Sequence, residues 1–258
     1  MHEFSLELET GRSIAQRAGE IAMRYWRSGI PFEAKSDDSP VTRADRECEQ
    51  FIAHALEQAF PDDGLLGEEG SRKPSRSNRR WIIDPIDGTR DFVRGNPAWA
   101  NLIALEADGE VVAGFANMPA LGELYTAVRG GGAFVNGQPI HASAIGSIPE
   151  AVVCFDALNT AARQHFAADL LAWMEPFWAV RSMGGCLDAL MVTRGQAEIW
   201  IETSGKPWDF APLKIIAEEA GARYFDFAGK STIYGDNCVI CAPGMEDAAR
   251  RFICRPRE

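Results

Sequence analysis

The chain has 258 residues, 46% hydrophobic and 24% charged, which allows one large domain or two modest ones and excludes a disordered chain or a fibre. Its longest uncharged stretch, 130–149, is rich in Gly, Pro, Asn and Ser and cannot span a bilayer, while a net charge of −11 repels nucleic-acid backbones and anionic membranes. A surface this acidic would meet a negatively charged substrate through bound cations.

In chain order, Ile14, Ala18, Ile21, Ala22, Tyr25 and Trp26 recur at helical spacing, and Ala44, Cys48, Phe51, Ile52, Ala55 and Leu56 do so again. Two amphipathic helices are therefore predicted, with Lys35-Ser-Asp-Asp-Ser-Pro40 as a loop between them and Thr42 as the cap of the second. Short apolar runs follow at Leu65-Leu66 and Trp81-Ile82-Ile83, separated by a polar segment, 71–80, that reads as a mobile surface loop. Runs at 99–106, 110–117, 122–128 and 133–135, punctuated by turn residues, predict an antiparallel meander with Asp108-Gly109 as its clearest hairpin turn.

Beyond Ser147, strands and helices alternate. Strands are predicted at 152–155, 179–180, 197–201, 222–226 and 238–241, and helices near 160–173, 187–192, 210–220 and 245–252. The expected organisation is an α+β half, 1–146, and an α/β half, 147–258, with a cleft between them. The cysteines do not form a secreted disulfide pattern, and Met1-His2-Glu3-Phe4 lacks a basic-then-apolar start, so a reducing cytoplasm is expected. Cys238-x-x-Cys241 resembles half a zinc site, but no second pair lies nearby and His2, His54, His141 and His165 are scattered. The pair reads as small apolar side chains in a buried strand.

Four segments carry carboxylates at strand ends or helix starts: Asp45, Gly67-Glu68-Glu69, Asp84-Pro85-Ile86-Asp87-Gly88-Thr89 and Trp208-Asp209. Each has a plain structural reading. Asp45 could serve the helix dipole, Glu68-Glu69 a solvated strand end, and Asp209, one residue before its helix, an N-cap, with Pro212 in the first turn. Asp84 follows Trp81-Ile82-Ile83 at a strand's C-terminal end, where Pro85 stops the ladder and Gly88 permits a tight turn. Asp84 and Asp87 beside one point would repel unless a divalent cation lay between them, and oxygen-only ligands favour Mg²⁺ or Mn²⁺. The Gly88 and Thr89 amides at a helix start suit phosphate oxygens.

Together, Gly67-Glu68-Glu69, Trp81-Ile-Ile-Asp-Pro-Ile-Asp-Gly-Thr89 and Trp208-Asp-Phe-Ala-Pro212 resemble the inositol monophosphatase superfamily of metal-dependent, lithium-sensitive phosphomonoesterases, in the right order from about Lys35 onward. The resemblance implies a layered αβαβα sandwich, with most metal ligands in the first half and the last ligand and substrate contacts in the second. It implies a first metal on Glu68, Asp84 and the Ile86 carbonyl, a second on Asp84, Asp87 and Asp209, and a weaker third on Glu68 with water. These would be two or three Mg²⁺, with Mn²⁺ as a substitute. Asp45 and Thr89 would activate water, with Glu68 also part of the catalytic set, and Gly88 and Thr89 would bind phosphate. Substrate contacts would come from Asp87, Gly185, Cys186 and Glu202, and the assembly would be a homodimer.

Glu202 could accept hydrogen bonds from a polyol or attract an amine, and its plain reading is an exposed strand residue. The stretch Asp91-Phe-Val-Arg-Gly-Asn-Pro-Ala-Trp-Ala100 followed by Leu102-Ile-Ala-Leu105 is similar to the bacterial histidinol-phosphatase branch, although Gly185 stands where that branch commonly carries an acid. Histidinol phosphate is favoured over inositol 1-phosphate, and a promiscuous sugar-phosphate phosphatase stays open. Fructose 1,6-bisphosphate ranks lower because Arg90, Arg94 and Arg181 are scattered rather than clustered. A catalytically dead binding protein of the same fold would be expected to lack one of Glu68, Asp84, Asp87, Thr89 or Asp209, and all five are present.

Overall fold

The computed structural model describes residues 3–26, 32–34 and 40–254. Helices α1 (Ser5–Trp26) and α2 (Arg43–Ala59) flank a short antiparallel pair, β1 (Phe32–Ala34) and β2 (Pro40–Thr42). Residues 35–39 of the predicted loop lie outside the described residues, and Pro40 opens β2. Ile14, Ala18, Ile21 and Ala22 of α1 and Ala44, Cys48, Ile52 and Leu56 of α2 are buried, as their 3.6-residue spacing requires.

Next come β3 (Gly64–Gly67), β4 (Arg72–Lys73), β5 (Arg79–Asp87), the short helix α3 (Thr89–Arg94), β6 (Ala100–Ala107), β7 (Glu110–Met118), β8 (Glu123–Val128), β9 (Gly132–Val135) and β10 (Gln138–Ile140). They form an eight-stranded sheet in the order β10-β9-β8-β7-β6-β5-β3-β4, antiparallel except for the β3/β5 pair. The turn at Asp108-Gly109 has positive φ at both residues, 52° and 82°, as a primed hairpin turn demands. The segment 71–80 is not simply a loop. Arg72–Lys73 pairs with Leu65-Leu66 as a sheet edge, and Arg79-Arg80 opens β5. Its polarity reflects one-sided exposure at that edge.

The second sheet comprises β11 (Val152–Phe155), β12 (Ala179–Arg181), β13 (Ile199–Glu202), β14 (Arg223–Phe225) and β15 (Cys238–Cys241), ordered β12-β11-β13-β15-β14. The region predicted as one helix, 160–173, is instead α4 (Leu158–Ala161), a 3₁₀ turn and α5 (Leu170–Met174). Its few apolar anchors, Ala161, Phe166 and Leu170, are buried without needing a continuous helical face. Helices α6 (Gly185–Thr193) and α7 (Pro207–Glu219) lie between the two sheets, while α4, α5 and α8 (Glu246–Ile253) cover the outer face of the second. With α1 and α2 outside the first sheet, the layers run αβαβα. Cys238 packs with Ile240 into the central layer and Cys241 with Val239 into the outer one, so the two thiols point to opposite faces and cannot share a zinc.

Candidate active site

The site begins with an irregularity in β5. Asp84 pairs with Leu102 and Asp87 with Ala100, so β5 carries one residue more than β6 across this step. Pro85 therefore does not stop the ladder; it sits in a β-bulge, where its missing N–H is harmless, and the strand runs on to Asp87. In a regular strand residues three apart face opposite ways, and the extra residue returns Asp87 to the side of Asp84. The Ile86 N–H donates to Asp84 Oδ1 at 3.0 Å, and the Asn101 side-chain amide donates to the Pro85 carbonyl. Gly88 then turns the chain into α3 with φ of 81°, and a Cβ there would stand 2.7 Å from the Ala98 carbonyl. Only glycine satisfies both conditions.

Asp209 arrives on α7. It is the third residue of that helix rather than the residue before it: Lys206 is the N-cap, Pro207 takes the first position, and Pro212 lies inside the helix. The Asp209 carboxylate accepts the Lys206 N–H at 2.6 Å, which fixes its direction. One oxygen each from Asp84, Asp87 and Asp209 then lies within 4.8 Å of the others. Burial, followed by the charges of Glu68, Asp209 and Asp87, pushes the Asp84 carboxyl well above its ordinary value. Burial pushes Asp87 up to about 6, with the charges of Asp156 and Glu68 adding and the Cys186 thiol and amide opposing by donating to it. Burial and the charge of Asp87 push Asp209 up to about 7. No lysine or arginine is among the leading influences on any of the three. An all-oxygen cluster held together against its own repulsion fits a hard divalent cation.

Glu68 follows β3, whose parallel register sets Gly67 beside Ile83, and the Glu68 N–H donates to the Ile83 carbonyl at 3.0 Å. That places Glu68 next to Asp84 at the ends of two neighbouring strands. It stands outside the 4.8 Å group, yet its charge acts on Asp45, Asp84, Asp87 and Asp209. Asp45 is fully buried on the first turn of α2, where Thr42 is the cap, as the sequence predicts. Asp45 Oδ2 accepts the Thr42 N–H at 2.8 Å and its hydroxyl at 2.6 Å. Asp45 Oδ1 is left to face the Thr89 hydroxyl at 3.4 Å, which also reaches the Ile86 carbonyl at 3.1 Å. Burial raises the Asp45 carboxyl against the hydrogen bonds from Thr42.

The substrate-side residues collect around the start of α6. Cys186 is buried against Asp87, and a Cβ on Gly185 would lie 3.7 Å from Asp87 Oδ2 and 3.8 Å from the carboxyl carbon of Asp156. Asp156 is a site residue that the sequence reading missed. It follows the apolar run Val152–Phe155 just as Asp84 follows Trp81-Ile82-Ile83, and that parallel was the available signal. Glu202 is not an exposed strand residue: it is 6% exposed because β13 is central in its sheet. Burial, the Asp156 charge and a hydrogen bond to Asp156 hold its carboxyl well above the ordinary range, while Oε1 accepts the Ser204 N–H at 2.9 Å. Glu202 and Asp156 thus meet through a shared hydrogen bond.

Residues 6–256 match the family model described as the inositol monophosphatase family. The chain is 40% identical over 240 residues to a histidinol-phosphatase of Chlorobaculum parvum, covering 92% of each chain. It is 32% identical over 253 residues to an inositol-1-monophosphatase of Rhizobium meliloti, covering 96% of this chain and 93% of the relative. Among solved structures, an IMPase of Thermotoga maritima superposes with a TM-score of 0.86 at 30% identity, over 96% of both chains. Sequence, fold and the oxygen-lined carboxylate cluster agree, and the chain belongs to the inositol monophosphatase family, as a phosphoric monoester hydrolase of that metal-dependent family.

Proposed function

We propose that the protein hydrolyses L-histidinol phosphate to histidinol and inorganic phosphate, using two or three Mg²⁺ held by Asp84, Asp87, Asp209, Glu68 and the Ile86 carbonyl, with Mn²⁺ as a substitute. The observation that carries the substrate is the Asp156 carboxylate beside Gly185, within the same small space as Asp87 and hydrogen-bonded to Glu202. An acid commonly supplied in this branch at the position of Gly185 is here supplied from the end of β11. A negative charge next to the phosphate site attracts an ammonium group by charge as well as by hydrogen bonding, whereas a neutral polyol gains only the hydrogen bonds. The histidinol-phosphatase relatives support the same reading. Six cysteines, none of them disulfide-bonded, support a reducing cytoplasm; among the described residues no helix is long and apolar enough to cross a membrane.

Held by these oxygens, Mg²⁺ would supply a Lewis acid able to acidify water and to steady a leaving oxygen. The chain's own residues set the rest. Asp45 Oδ1 takes the Thr89 hydroxyl proton, so that Thr89 Oγ1 accepts a proton from the attacking water. The raised carboxyl of Asp45 makes it a better base than an exposed aspartate. The Gly88 and Thr89 amides bind phosphate oxygens, and Cys186 fixes Asp87 by donating to it. The water oxygen bonds to phosphorus as the bond from phosphorus to the ester oxygen breaks; the departing oxygen takes a proton from solvent to leave as the alcohol, and Asp45 releases to solvent the proton it received through Thr89.

A phosphate-release panel tests the proposal, with histidinol phosphate, inositol 1-phosphate, fructose 1,6-bisphosphate and phosphoadenosine phosphate under saturating Mg²⁺. Histidinol phosphate should show the highest kcat/KM, and a higher value for inositol 1-phosphate would overturn the substrate. Asp156→Asn should reduce kcat/KM for histidinol phosphate by about 1.5–3 kcal/mol of binding, the range for a charged hydrogen bond. Glu202→Gln, whose amide N–H can donate to Asp156, should cost less, and p-nitrophenyl phosphate should respond to neither.

A further inference from the structure

Helix α2 carries a second buried carboxylate one turn after Asp45. Glu49 is 2% exposed, and both of its oxygens are committed: Oε2 accepts the Glu69 N–H and Oε1 the Ser71 N–H, each at 2.7 Å. These two amides belong to the turn that follows Glu68. Gly67 lies against the same carboxylate, and a Cβ there would come within 2.5 Å of Glu49 Cδ, so the strand approaches α2 as closely as it does only because residue 67 has no side chain. The turn closes on itself through the Gly67 N–H to the Ser71 carbonyl at 2.8 Å, while the Glu68 N–H is taken by β5. Glu68 is therefore anchored on one side by the sheet and on the other by Glu49.

A buried carboxylate close to other carboxylates is unfavourable unless donors offset its charge, and here two backbone amides do so. Its position has a consequence for the site. Asp45, which faces Thr89, and Glu49, which clamps the Glu68 turn, sit at i and i+4 on one helix face. We infer that Glu49 is a positioning residue that holds the Glu68 carboxylate toward the Asp84, Asp87 and Asp209 cluster, so that α2 sets the water-activating pair and the Glu68 arm as one rigid unit. The inference rests on the reading of Glu68 as a metal ligand. Partners of this kind orient the groups that bind a metal, and their loss typically costs about 10–100-fold in metal affinity.

The test is Mn²⁺ binding to the full chain, read from the electron paramagnetic resonance of free Mn²⁺, alongside thermal unfolding in EDTA. The variants are Glu49→Gln, Glu68→Gln, the double variant, and Glu57→Gln as an exposed control on the same helix. Glutamine keeps the size of Glu49 but offers one acceptor where two amides need one each, so the fold survives where alanine would leave a hole. Glu49→Gln should weaken Mn²⁺ binding about 10–100-fold, with turnover restored by excess metal. The double variant should bind no more weakly than Glu68→Gln alone, because Glu49 acts through Glu68. An unchanged Mn²⁺ affinity in Glu49→Gln, with Glu68→Gln impaired, overturns the inference, as does additivity in the double variant. Unchanged affinity in Glu68→Gln overturns the ligand reading itself, which separates the two failures.

Discussion

Asp87 joins the two sides of the site: it shares the oxygen cluster with Asp84 and Asp209, accepts from Cys186, and borders Gly185. Asp87→Asn keeps the shape and removes one charge, and should lower turnover by about 10²-fold or more, the scale of one lost electrostatic stabiliser. Circular dichroism should be unchanged, and near-normal turnover at saturating Mg²⁺ would remove Asp87 from the metal site. The raised carboxyls also predict a pH dependence. From an ordinary value of 3.8, Asp87 rises to about 6 and Asp209 to about 7 in the folded chain. The folded state then binds more protons than the unfolded state between these values, so the stability these groups contribute is present below pH 3.8 and lost as pH rises to about 7. Metal-free protein should therefore gain more Tm from Mg²⁺ at pH 8 than at pH 5.5, where protons already occupy the cluster. Equal gains at both pH values, measured by calorimetry, would separate metal binding from these carboxylates.

At the scale of elements, the N-terminus of α2 couples stability to the chemistry. Thr42 Oγ1 accepts the Ala44 N–H at 3.0 Å while its own hydroxyl donates to Asp45, so one residue caps the helix and aims the carboxylate that faces Thr89. Thr42→Ala should cost about 1 kcal/mol of stability, the usual loss of an N-cap, and should also lower kcat. Thr42→Ser should restore both, and a Tm loss with unchanged kcat would show that Asp45 needs no help from its cap. Much of this was legible beforehand: the apolar period of α2 and Thr42 before it place Asp45 at a helix start. The bulge in β5 was not, because proline and the apolar run before it are equally compatible with a strand that ends at Asp84. Only pairing with β6 counts the extra residue.

At the scale of the molecule, β12 is, among the described residues, an edge of the five-stranded sheet, with Trp178, Val180 and Met183 exposed on and beside it at 73%, 36% and 47%. An unpaired edge bearing large apolar side chains is a surface that natural proteins cover. We propose that a second copy of the chain covers it through the same strip, as a two-fold dimer requires. Sedimentation velocity should give a dimer for the natural chain and a monomer for Trp178→Glu. A monomer for both would leave this face to another role.

The sequence alone determined an α+β half followed by alternating strands and helices, both opening helices, the meander with its Asp108-Gly109 turn, and the carboxylates that gather at the site, because periodicity, turn chemistry and short motifs are local properties of the chain; the layered sandwich came from the family resemblance. Tertiary structure decided what depends on residues far apart in sequence. It set Asp87 on the side of Asp84 through a register shift against β6, and it moved Asp209 into α7 beneath a Lys206 cap. It buried Glu202 in a central strand and brought Asp156 to it from the end of β11. What a carboxylate does follows from its burial and from which groups meet it, and those are fixed only when the layers pack.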